Sequence, residues 1–158
     1  MNWYKLAEAA LNITPDQFQA MVDEEKKALA RNTSLSPQTQ LLFFTQEYEG
    51  KDWVLWHLAE NTNLSPQTQS MFFTQEYEGK DWVLWHLAEN TSISPQTQLL
   101  FFTQEYSGKI DVLSRLSLNP SFLKGVTLQE MREFTKAKEA RLPVYKKRLK
   151  TIKEKIKL

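Results

Sequence analysis

The chain has 158 residues, 41% of them hydrophobic and 25% charged, proportions that fit one globular domain with a sizeable core. It contains no cysteine, which excludes disulfides, thiolate zinc sites, iron–sulfur clusters and cysteine nucleophiles; a cytoplasmic location is expected, because no long apolar run or secretion signal is present either. The net charge of +1 hides a division, since residues 32–60 and 61–89 each carry one basic and four acidic side chains, whereas residues 119–158 carry twelve basic and four acidic.

The first helical unit is weak. Ile13-Thr14-Pro15-Asp16 places a capping hydroxyl before a proline, and Leu6-Ala7-Glu8 stands before it as the end of a preceding helix. From Asn32 the pattern becomes explicit. Residues 32–60, 61–89 and 90–118 are one 29-residue unit written three times, and the first two copies differ at three positions. A period of this size marks a stack of units, each too small to bury its apolar face alone.

Within each unit Ser36-Pro37, Ser65-Pro66 and Ser94-Pro95 open a helix B. In the first copy its apolar residues are Leu41, Phe44 and Tyr48 with Leu42 alongside, and Gly50 is expected to end it. Asp52 and Asp81 then read as N-caps of a short helix A, Trp53 to Glu60 and Trp82 to Glu89. Past the third copy, Leu113, Leu116 and Asn119 keep helix A positions, and Thr127 with Glu130 has the spacing of a capping box after Val126. About five hairpins thus fill residues 1–142, the end units degenerate as a solenoid requires. Residues 143–158 form a separate element: after Pro143, Tyr145, Leu149, Ile152 and Ile156 recur at helical spacing among lysines, predicting a basic amphipathic helix.

Leu29-Ala30-Arg31-Asn32 followed by Leu35-Ser36-Pro37, and the equivalents of this phrase in later units, resemble the leucine-rich repeat variant family, a HEAT-like bacterial solenoid of paired short helices. The likeness covers roughly residues 3–130. It implies an all-α, right-handed superhelical scaffold of bacterial or phage type with no common activity, catalytic residue or cofactor. The central period is longer than is usual in the family, and the cysteine cluster of some members is absent.

The internal copies separate two sides of helix A. At 100° per residue Val54, Leu55, Leu58 and Ala59 share one side, and Trp53, Trp56, His57 and Glu60 the other. The third copy keeps Val112, Leu113 and Leu116 but replaces the second side with Asp111, Ser114 and Arg115. Trp53, Trp56, His57 and Glu60, stacked beside Trp82, Trp85, His86 and Glu89, are therefore the candidate partner-binding surface, because tryptophan is favoured at binding hot spots. Packing of the tryptophans between repeats is the competing reading. The histidines come from different units and do not read as metal ligands. On helix B, Gln38, Thr39, Gln40, Thr45, Gln46 and Glu47 read as a solvated face.

The basic segment offers Arg141, Lys146, Lys147, Arg148, Lys150, Lys153, Lys155 and Lys157. These cations suit a cap on the end of the stack, a homodimer contact through the same helix, phosphate contacts to nucleic acid, or a membrane surface. No glycine-rich phosphate loop, zinc-protease helix or G-x-S-x-G elbow occurs. A non-enzymatic protein-binding scaffold, adaptor or inhibitor is the expected function, and nucleic-acid binding through the basic helix and repeat tryptophans is the alternative.

Overall fold

In the computed structural model, which describes residues 12–122, a hydroxyl followed by proline opens every second helix. Thr14, Ser36, Ser65 and Ser94 hold extended backbone and accept a hydrogen bond from the amide three residues on, with proline next in line. A missing N–H is harmless there, because the first turn has no intrahelical acceptor for it. The described residues form α1 (Pro15–Ala20), α2 (Asp23–Ala30), α3 (Pro37–Thr45), α4 (Lys51–Ala59), α5 (Pro66–Thr74), α6 (Lys80–Glu89), α7 (Pro95–Thr103) and α8 (Lys109–Leu116). All regular structure among them is helical. The main packing runs along two rows, α2–α4–α6–α8 and α3–α5–α7, joined within each hairpin. None of these helices is long and apolar enough to cross a membrane.

Helix boundaries depart from the sequence pattern. Helix B stops at Thr45, not at Gly50, because Gln46 turns extended and the next segment satisfies the freed carbonyls. The Lys51 ammonium donates to the carbonyls of Phe44 at 2.7 Å and Gln46 at 2.9 Å, and the Tyr48 hydroxyl donates to that of Phe43 at 2.7 Å. Lys80 and Lys109 do the same in the next units. Gly50 instead enters α4 with φ of 70°, a conformation that favours glycine. Helix A accordingly starts at Lys51 and Lys80, so Asp52 and Asp81 sit in its first turn and are not its N-caps. At Gly79 a Cβ would also stand 3.3 Å from Cβ of Asp52, a tight contact between successive units that adds to the preference for glycine.

The core differs from the expected stripe too. On α3 the buried residues are Thr39, Gln40, Phe43 and Phe44, while Leu41 and Leu42 are only half-buried. The paired phenylalanines explain this: one ring of each pair meets the unit before and the other the unit after. Edge-to-face contacts join Phe18 to Phe43 at 5.1 Å, Phe44 to Phe72 at 4.9 Å and Phe73 to Phe101 at 4.8 Å. Each buried ring contributes roughly 2–3 kcal/mol by leaving water.

Thr39 and Gln40 do not belong to a solvated face; Gln38, Thr45 and Glu47 do. Buried Gln40 donates to the carbonyl of Asn63 and accepts from the amide of Ser65, both at 2.9 Å, which ties it to the next unit. Gln69 accepts from Ser94 in the same way. The asparagine after each helix A reaches backward. Asn61 donates to the carbonyls of Ala30 and Asn32, Asn90 to those of Ala59 and Asn61, and Asn119 to those of Ala88 and Asn90, at 2.8–3.0 Å. These amides pair backbone carbonyls at the junction between units, where burial makes an unpaired acceptor costly. Leu6-Ala7-Glu8, the capping box of Thr127 and Glu130, and the basic segment from Arg141 to Lys157 lie outside the described residues.

Candidate functional site

The two sides of helix A are distinct in space. Val54, Leu55, Leu58 and Ala59, with Val83, Leu84, Leu87 and Ala88 one unit on, are fully buried. On the other side Trp53 and Trp82 are 52% and 53% exposed, Trp56 and Trp85 are half-buried, and His57 and His86 are buried. Glu60 is exposed and Glu89 half-buried. The tryptophans thus divide into an outer pair and an inner pair, three residues apart on the same helical face.

The rings form one continuous aromatic row across α4 and α6. Trp53 leans on Trp56 at 5.1 Å, Trp56 stacks on His57 at 5.1 Å, and Trp56 meets His86 of the next helix at 4.6 Å. Trp82 stacks on Trp85 at 5.4 Å with planes 3° apart and meets His86 edge-to-face with ring centroids 5.0 Å apart. The Trp56 indole donates to Glu60 at 3.1 Å, which turns its ring along the helix.

Beside the rings runs a row of polar groups. A guanidinium nitrogen of Arg31, in α2's C-terminal turn, stands 3.0 Å from Nδ1 and 3.4 Å from Nε2 of His57; a guanidinium can only donate, so the ring nitrogen it pairs with carries a lone pair. Carboxylate oxygens of Glu89 and Glu60 stand 3.6 and 3.8 Å from Nδ1 of His86, beyond hydrogen-bond range, and neither ring nitrogen of His86 has a hydrogen-bond partner among the described residues. Arg115 ends the row by pairing with Glu89 and lying 4.5 Å over the Trp85 ring.

Both histidines are held below their ordinary pKa. For His57 burial is the first cause and the charge of Arg31 the second, with Glu60 opposing; for His86 burial again leads, Glu60 opposes it, and Arg115 adds to the lowering. They therefore stand as neutral imidazoles at neutral pH. Among the described residues no group of three or more His, Cys, Asp or Glu side chains is placed to hold a metal ion.

In the sequence Arg31 stands out only as part of the repeat phrase Leu29-Ala30-Arg31-Asn32, although a signal for a place in the site exists. It lies 29 residues before Glu60 and so takes the same place in the preceding unit with opposite charge. The arrangement offers half-exposed aromatic area, an ordered indole donor and carboxylates set between cations. No protein-family model, curated protein or solved structure matches the chain.

Proposed function

We propose that the chain is a right-handed helical solenoid of the leucine-rich repeat variant type that works without chemistry of its own, by binding another protein along the tryptophan side of helix A. One observation carries the reading: Trp53 and Trp82 stand half exposed on adjacent helices, anchored from below by packed rings. Large, pre-ordered aromatic area that stays in contact with water costs little entropy to cover and is the commonest source of binding energy in protein interfaces. The stacked arrangement is supported by contacts that recur at 29 and 31 residues, from Asn61 to Asn119.

The test is affinity capture with the full chain, wild type against Trp53→Ala with Trp82→Ala, followed by calorimetric titration of the captured partner. The double replacement is expected to leave the helical circular dichroism intact and to weaken the partner at least about 100-fold, the loss of two hot-spot residues. Unchanged affinity overturns the reading. So does a chain whose sole macromolecular ligand is nucleic acid, bound with steep salt dependence and indifferent to the tryptophans, which would place function in Arg141 to Lys157.

A further inference from the structure

The third repeat breaks the aromatic row at a definite point. Trp53, Trp82 and Asp111 occupy one position in successive units, and Trp56, Trp85 and Ser114 another. Between α4 and α6 the Trp82 ring closes against the edge of Trp56, with centroids 6.4 Å apart. Between α6 and α8 an aspartate and a serine stand where tryptophans would. A pocket of about 440 Å³ opens there, bordered by Asp81, Trp82, Trp85, Asp111, Ser114 and Arg115.

The protein itself shows what this wall accepts. Arg115 lays its guanidinium over Trp85 and pairs with Glu89, so one π face and one carboxylate already hold one guanidinium. Trp82 supplies a second, half-exposed ring beside the first. Asp81 and Asp111 reach the pocket from the first turns of α6 and α8, and neither carboxylate has a hydrogen bond or ion pair among the described residues. The charge of Arg115 is matched by Glu89, so among the described residues the rim carries two negative charges in excess.

An apolar insert would cover both carboxylates without pairing them, at a cost in desolvation. An anion would be repelled. An ammonium matches the charge but lacks the planar face that lies flat on indole. We infer that this pocket seats an arginine side chain of a protein partner, stacked on Trp82 and donating to Asp81 and Asp111. The inference rests on the reading of the tryptophan face as a protein contact and adds the residue chemistry of that contact.

The experiment uses the isotope-labelled full chain and follows its indole N–H resonances during titration with N-acetyl-arginine methylamide. The uncharged isostere N-acetyl-citrulline methylamide serves as the comparison. The arginine probe is expected to shift the Trp82 and Trp85 signals saturably and to bind about tenfold more tightly than citrulline, one charge-assisted pair's worth. Asp111→Asn should weaken it about fivefold. Asp111→Trp, which restores the side chain of the earlier repeats, should abolish it while leaving the Trp53 and Trp56 signals unmoved. Equal binding of the two probes, or arginine binding that survives Asp111→Trp, overturns the inference. The two readings fail separately: a protein partner lost with Trp53→Ala and Trp82→Ala but indifferent to Asp111→Trp removes the arginine pocket alone. A partner indifferent to the double replacement removes the broader reading whether or not the probe binds.

Discussion

The amide ladder between units and the aromatic row on helix A reverse the usual distribution of polarity. Gln40, Asn61, Gln69 and Asn90 are buried, and every copy repeats them; Trp53 and Trp82 are among the largest side chains and stand half in water, and the third copy dispenses with them. The difference is one of partners rather than of polarity. A side-chain amide between two units finds backbone carbonyls of the neighbouring unit to pair with, so its burial completes a hydrogen-bond account. The rings packed against an outer tryptophan leave about half of its surface in water. The first kind of residue holds the stack together, whereas the second leaves unfinished contact area.

Three measurements test this contrast. The largest effect is expected from Asn90→Leu, which leaves the carbonyls of Ala59 and Asn61 buried and unpaired. Urea unfolding should show a loss of about 3 kcal/mol, two unsatisfied acceptors' worth. A loss below about 0.5 kcal/mol would make the ladder ornamental and dissolve the contrast.

The histidines beneath the tryptophans come next. Because their pKa values are lowered in the folded state, the unfolded chain binds protons more readily. The stabilisation is then complete above the ordinary histidine range and is lost as pH falls below it. Melting temperature should therefore drop from pH 7.5 toward pH 5, and less so in a variant with His57→Gln and His86→Gln. An equal drop in that variant would assign the acid sensitivity elsewhere. The smallest effect belongs to Trp53→Ala, about 1 kcal/mol or less, the value of one aromatic contact on a half-exposed ring. Unfolding of that variant would place Trp53 in the core.

Much of this was legible in the chain because the repeat supplies its own comparison. Ser36-Pro37 and its equivalents mark helix starts by local chemistry alone, and the aliphatic half of helix A is recognisable as core because the third copy retains it. Gly50 misled, since a left-handed glycine serves equally well after one helix or before the next, and only the lysine on the preceding carbonyls decides between them. Thr39 and Gln40 misled for a different reason. Helical periodicity counts polar residues as solvent-facing, yet the partners of Gln40 include Asn63 and Ser65 in the next unit, whose proximity no local pattern encodes.

Taken alone, the amino-acid order determined the helical class, the 29-residue unit and the two unlike sides of helix A, because capping, proline geometry and 3.6-residue periodicity act within a few residues. Stacking decided the rest. It set Arg31 against His57, buried the amides, and opened the space beside Trp82 where Asp111 replaces a ring. Those outcomes depend on groups 23 to 31 residues apart that meet only after the helices have packed.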